Sequence, residues 1–286
     1  MFPFARPGSA PEAGRGKGSA SRRGFPVIPH DTIIARNDSY ITAHPRNGCC
    51  ATARFYLRLL GIVFSSSSRA KHGRYHDREW VNSSIDVLNA LEAAGCRFEI
   101  RGMDVLRAID GPAVFVANHM STLETFILPS LINPVRKVTF VIKPSLMEYP
   151  VFRHVMRSRN PIVVSRDNPR QDLVTVMEEG ARRIAEGTSI ILFPQTTRTA
   201  RFDPAAFNSL GVKLARASGA VVVPIALKTD AWDNGRMFKD FGPIHPERTV
   251  HIQFGHPLPV TGNGREQHDE TVRFISEHLA AWSSPA

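Results

Sequence analysis

From residue 97 onward, short apolar runs alternate with stretches of helical periodicity, and this alternation restricts the possible folds more than any other feature of the chain. Runs of strand length stand at Arg97–Arg101, Ala113–Ala117, Lys137–Ile142, Ile162–Val164, Ser189–Phe193, Ala220–Ile225 and Val250–Phe254. Helix patterns fill 121–131, 150–158, 170–186, 208–218 and 266–281 between and after them. A chain ordered this way covers a sheet with helices. The expected fold is therefore α/β, with a mixed, largely parallel sheet flanked by helices and the functional residues in loops at strand ends.

Ahead of that region, Trp80, Ile85, Val87, Leu88 and Leu91 predict an amphipathic helix over about 76–94, closed by Gly95. The stretch Phe55–Phe64 is aromatic and aliphatic, too short to span a bilayer, and has Arg54 and Arg58 one helical turn apart. It fits either a helix lying in lipid headgroups or a core helix whose arginines snorkel to water. Residues 1 to about 48 are rich in Gly, Pro, Ser and Arg without periodicity, which predicts a disordered basic tail. The expected division is thus a tail at 1–48, an N-terminal helical, membrane-docking segment at 49–95 and an α/β domain at 96–286. No internal repeat is visible.

The charge narrows the partners. At +10 over 286 residues, the chain should attract phosphate-bearing species, whether nucleic acid, an anionic membrane surface or a phosphorylated substrate. Cys49, Cys50 and Cys96 make neither a CxxC pair nor an even framework, so a disulfide scaffold and a cysteine zinc site are not expected, and a reducing cytoplasm fits. The absence of a long apolar segment or signal-like core predicts a protein neither exported nor membrane-spanning.

The most chemically suggestive stretch is Asn118-His119-Met120-Ser121-Thr122-Leu123-Glu124, which directly follows the apolar run Ala113–Ala117. Imidazole takes a proton near neutral pH, and a carboxylate that fixes its tautomer makes it a competent general base. Spacing alone is weak: with 11 His and 26 acidic residues in 286, such a pair is expected about once by chance. The chain holds a second one, His72 and Asp77. Ser121-Thr122-Leu123-Glu124 is also a capping box, so Glu124 has a structural reading beside the catalytic one. The helix start it predicts would disfavour a protonated His119. Downstream, Pro161–Arg166, Ile190–Arg198 and Val221–Ile225 each carry an apolar run to a polar or Pro-containing end, and Arg166 and Arg198 have the planar fork suited to phosphate oxygens.

These segments resemble the four ordered blocks of the glycerolphosphate and lysophospholipid acyltransferases, the 1-acylglycerol-3-phosphate O-acyltransferase family. The blocks are His-x-x-x-x-Asp, Gly-x-Ile-Phe-Ile-x-Arg, Phe-Pro-Glu-Gly-Thr-Arg and a hydrophobic-Pro block, matched here by 118–124, 160–166, 193–199 and 221–225. The resemblance implies His119 as general base, Glu124 as its carboxylate partner, and Arg166 and Arg198 gripping the acceptor phosphate. Asn118, Ser121, Gln195, Thr196 and Thr197 would complete the acceptor site.

It further implies direct acyl transfer from a coenzyme A or acyl carrier protein thioester, with no tightly bound cofactor and no metal. The implied acceptor is a lysophospholipid, most readily 1-acylglycerol-3-phosphate, met at the cytoplasmic face of an anionic membrane by a peripheral, monotopic protein. Departures from the pattern are Glu124 for aspartate, Gln195-Thr196 for Glu-Gly, Asn160 for glycine and Val163 for phenylalanine. They bear on acceptor recognition, and a scaffold that only binds lipid or acts on another lysolipid is the alternative they motivate. A basic nucleic-acid-binding protein is the alternative from another class, opposed by the lack of zinc-finger spacing or an RNP-like aromatic block. Nucleic acid is not an expected partner. Pro224 is read as shaping a turn or strand end, and His72/Asp77 as a solvated helix start.

Overall fold

The structure is a computed structural model and describes residues 29, 36–43, 50–165, 167–195, 197–236 and 239–283. Nine strands form one sheet among these residues: Ser39–Ile41 (β1), Arg97–Arg101 (β2), Ala113–Ala117 (β3), Val138–Ile142 (β4), Ile162–Val163 (β5), Ser189–Leu192 (β6), Val221–Lys228 (β7), Thr249–Phe254 (β8) and Leu258–Pro259 (β9). Their order is β1-β2-β8-β7-β3-β6-β4-β5, with β9 also paired to β7. Pairings β2/β8, β7/β3, β3/β6, β6/β4 and β4/β5 are parallel, whereas β1/β2, β7/β8 and β7/β9 are antiparallel. The mixed, largely parallel α/β fold expected from the sequence is the fold observed.

Helices cover both faces. Ala51–Lys71 (α1), Asp77–Ala93 (α2), Val105–Ala108 (α3), Leu123–Ile132 (α4), Ser145–Glu148 (α5) and Phe152–Ser158 (α6) lie with one face, and Pro169–Ala185 (α7), Leu210–Ser218 (α8) and Arg265–Ser283 (α9) with the other. Strand β3 shows why its sequence is an uninterrupted apolar run. Ala113, Phe115 and Ala117 join the first core, Val114 and Val116 the second, and all five are buried. A strand covered on both faces needs no polar alternation. Helix α8 comes close to it through Gly211, where any Cβ would stand 2.5 Å from Val116 Cγ2.

Two expectations are corrected. The predicted disordered tail ends too late: Ser39–Ile41 adds an edge strand to β2, and Tyr40 and Thr42 each donate to Glu92 Oε1 at 2.7 Å. Most of 1–48 lies outside the described residues. Pro224 sits inside strand β7 and not at its end. The ring costs no ladder donor there, because β7 changes antiparallel partner at that point, from Leu258 opposite Val222 to Phe254 opposite Ile225. Only the Pro224 carbonyl is used, accepting from Gly255 N–H at 2.8 Å.

Helix α1 divides Phe55–Phe64 between core and surface. Phe55, Leu59 and Val63 are buried against the core, a contribution of about 1.5–3 kcal/mol for each fully buried side chain. Leu57, Leu60 and Phe64, on another face, are 75%, 49% and 58% exposed. Arg54 folds inward onto the Ala93 carbonyl, while Arg58 is exposed. No helix of the described residues is long and apolar enough to cross a membrane.

Candidate active site

Because β3, β4, β5, β6 and β7 run parallel to one another, their carboxyl ends share one edge of the sheet. The loop after β3, the loop after β6 and Thr229 just past β7 meet there. Asn118 makes the first link. Its side-chain amide donates to the Leu227 carbonyl and accepts from Leu227 N–H, both at 2.8 Å, so it continues the β3/β7 ladder one residue beyond Ala117. Both ends of the amide are thereby engaged in holding the loop.

Glu124 is fully buried, and its surroundings are those of a carboxylate. Oε1 accepts from Met120 N–H at 2.6 Å, Ser121 N–H at 2.9 Å and the Thr229 hydroxyl at 3.0 Å. Oε2 accepts from Ser121 N–H at 3.0 Å and stands 3.6 Å from His119 Nδ1. Back-bonding to Ser121 N–H is the capping-box contact, and Oε2 is the oxygen that faces the histidine ring.

The hydroxyls around Glu124 form a directed chain: Leu123 N–H to Ser121 Oγ at 3.1 Å, Ser121 to Thr229 at 3.0 Å, and Thr229 to Glu124. Each hydroxyl spends its single proton toward the carboxylate.

His119 Nδ1 is buried and has no hydrogen-bond partner among the described residues, since 3.6 Å to Glu124 is longer than a hydrogen bond. The ring lies stacked on Phe193, with centroids 4.3 Å apart and 17° between planes. With Nδ1 turned to the carboxylate, Nε2 is the nitrogen available to take a proton.

The loop after β6 is fastened to the histidine loop by Gln195. Its Oε1 accepts from His119 N–H at 2.8 Å, its Nε2 donates to Thr199 Oγ1 at 2.7 Å, and Thr199 N–H returns to the His119 carbonyl at 3.0 Å. At 4% exposure, Gln195 is a clamp between two loops. Thr197 is exposed at the mouth, 3.4 Å from Lys239 Nζ. Arg198 donates to Asp240 Oδ1 at 2.7 Å and to Thr122 Oγ1. Arg166 and Thr196 lie outside the described residues. Asn160, at a position where the family pattern has glycine, takes φ 46°, a left-handed conformation that Asn tolerates better than most residues. Arg183 holds it there through its carbonyl at 3.0 Å and its Oδ1 at 3.1 Å.

His119 borders a cavity of about 910 Å³. On one side the walls are apolar, with Leu59, Val63, Trp80, Phe126, Phe152 and Met156, and at the mouth stand Thr197, Arg198, Lys239 and Asp240. Partial burial, and after it the Asp240 carboxylate, raises the Tyr149 phenol above its ordinary value. Among the described residues no group of three or more His, Cys, Asp or Glu is placed to hold a metal ion. The sequence reading missed Thr229 and Asp240. Both act through contacts with residues far away in the chain, and neither belongs to a motif block.

The arrangement is that of a histidine beside an apolar cavity with Arg198, Lys239 and Asp240 also in its lining. Residues 97–228 match the family model described as Acyltransferase. The chain is 26% identical over 216 residues to the 1-acyl-sn-glycerol-3-phosphate acyltransferase of Pseudomonas aeruginosa, covering 76% of this chain and 77% of that protein. It is 33% identical over 86 residues to the lyso-ornithine lipid O-acyltransferase of Rhizobium meliloti, 30% of this chain and 28% of that one. Its fold is similar to the crystal structure of the 1-acyl-sn-glycerophosphate acyltransferase of Thermotoga maritima, at TM-score 0.59 and 20% identity, over 82% of this chain and 97% of that chain. The fold is that of an O-acyltransferase. Residues 97–228 thus carry the acyltransferase-family match, and the relatives this chain is similar to include 1-acyl-sn-glycerol-3-phosphate acyltransferases.

Proposed function

We propose that this protein moves a fatty acyl group from an acyl thioester to the free hydroxyl of a lysophospholipid, most readily 1-acylglycerol-3-phosphate, to make phosphatidic acid. One observation carries the proposal. His119, backed by the buried Glu124 carboxylate, sits where an apolar cavity meets a mouth containing Arg198. In the reaction, His119 Nε2 takes the proton of the acceptor hydroxyl as its oxygen attacks the thioester carbonyl. Glu124 stabilises the resulting imidazolium. The tetrahedral intermediate then collapses with C–S cleavage, and the departing thiolate takes the proton back from His119. The ester C–O bond has replaced the thioester bond, and the base is restored.

Arg198 binds the acceptor phosphate in this reading, and Arg166 is assigned the same task from its motif alone. The apolar wall takes an acyl chain. The donor is coenzyme A or acyl carrier protein thioester, with no tightly bound cofactor.

Membrane docking on the cytoplasmic face, as a peripheral protein, is supported by the exposed stripe Leu57, Leu60 and Phe64. That stripe adjoins the mouth: Tyr56 of the same helix donates to the Gly242 carbonyl at 2.6 Å and its ring lies 6.0 Å from that of Phe241, which is 41% exposed. A lysolipid would then enter without leaving the bilayer surface.

The test is a mass-spectrometric screen of lysophosphatidate, zwitterionic lysophospholipids and lyso-ornithine lipid as acceptors against both thioester donors. Phosphatidic acid from lysophosphatidate at the highest rate is the expected result. Transfer confined to another acceptor would replace the substrate, and no transfer to any lysolipid would remove the activity.

A further inference from the structure

Arg198 reaches the mouth with its fork already taken. One terminal nitrogen donates to Asp240 at 2.7 Å and the other to Thr122. The arginine side chain is 12% exposed and the aspartate 38%, so the carboxylate is the more open partner. Its place is set by the segment joining β7 to β8, which is tied down on both sides of Asp240. Trp232 and Ile244 form an antiparallel bridge, Asp233 N–H donates to the Pro243 carbonyl at 3.0 Å, and Asn234 Nδ2 donates to the Met120 carbonyl at 3.0 Å. The neighbouring Lys239 turns to Thr197, and among the described residues the ion-pair partner of Asp240 is Arg198.

A carboxylate oxygen accepting from the guanidinium, as Asp240 Oδ1 does here, stands where a phosphate oxygen would. Resting the argument on Arg198 as the phosphate-binding group of the proposed acyl transfer, we propose that Asp240 is a specificity residue: it occupies the phosphate position and excludes free phosphate and other small anions. An attached carboxylate competes at a high effective concentration. Inorganic phosphate brings only its charge against it. A lysolipid brings an acyl chain as well, and each methylene placed against the apolar wall of the same cavity favours the exchange.

Calorimetric titration of inorganic phosphate into the full chain tests this directly. Asp240→Asn should bind phosphate about tenfold more tightly than the unaltered protein, the gain expected when one competing ion pair is lost. The gain should vanish in Arg198→Ala/Asp240→Asn. Asp240→Ala repeats the measurement with no acceptor left at position 240, and melting curves confirm that each variant is folded. Equal affinity in the unaltered protein and both Asp240 variants would overturn the proposal, as would a gain that persists without Arg198. The titration does not depend on turnover. A protein that acylates no lysolipid would defeat the function proposed above while leaving this result readable, and one that acylates lysophosphatidate with no phosphate effect at Asp240 would do the reverse.

Discussion

Twice in this chain a histidine precedes a carboxylate by five positions, and the pairs His119/Glu124 and His72/Asp77 end in opposite surroundings. His72 is exposed at the end of α1, its Nδ1 at 2.7 Å from the Ser68 carbonyl. Asp77 opens α2 and bonds Arg159 at 2.9 Å, so each member of that pair is engaged elsewhere. His119 and Glu124 are instead carried by a single turn from a buried strand end into the start of α4, and the first amides of that turn hold the carboxylate facing the ring. The spacing is identical, and the backbone path between the two residues differs. A His-acid spacing brings the carboxylate to the ring only where the chain between them lets it fold back.

The sharpest way to break this comparison is to remove each histidine. His119→Ala should lower kcat by about 10²–10⁴-fold, the range general-base groups supply, with little change in melting temperature. His72→Ala should leave kcat where it was. Equal losses in steady-state assays would erase the distinction.

Next comes the carboxylate. Glu124→Gln keeps the shape but turns an amide NH2 toward a site whose neighbours Met120 N–H, Ser121 N–H and Thr229 are all donors. We expect kcat to fall about 10²-fold, with a loss of about 1–3 kcal/mol of stability in denaturant melts from the unpaired donors. A variant of normal stability and normal rate would show that Glu124 neither caps nor assists.

Thr229 is a smaller lever on the same pair. Thr229→Val removes one donor to Glu124 and the acceptor for Ser121 while keeping the volume. The loss of one hydrogen bond to a charged group, about 1.5 kcal/mol, predicts a kcat roughly tenfold lower. KM should hold and Thr229→Ser should restore the rate. A change in KM alone, or no rescue by serine, would mean that Thr229 only packs.

Much of this was legible in the sequence because it depends on local pattern. The seven predicted strands all exist, since apolar runs buried on one or both faces announce themselves. His119 was legible through its place after such a run. What was not legible depends on contacts across long stretches of chain. Strand β1 exists because Tyr40 and Thr42 find Glu92, about fifty residues away. Strand β7 was expected to stop at Ile225 because proline reads as punctuation, and its continuation to Lys228 is what delivers Thr229 to the site. Gln195 was expected to face the acceptor. It bonds His119 N–H 76 positions away, a role no motif position reveals.

The smallest expected effect closes the comparison from the decoy's side. Asp77→Ala removes the bond to Arg159, but the carboxylate is half-exposed, and such pairs contribute about 0–1 kcal/mol. Arg159 keeps its other anchors: it donates to the Tyr75 carbonyl at 2.7 Å and lies over the rings of Tyr75 and Trp80 at 5.5 and 5.2 Å. Because Tyr75 and Trp80 line the cavity, those contacts and not the ion pair hold that part of its wall. Asp77→Ala should therefore lose at most about 1 kcal/mol in melts at unchanged kcat. A fall in kcat comparable to that of Glu124→Gln would show that the wall at α2 is coupled to the chemistry through Asp77, and would give the second pair a functional role after all.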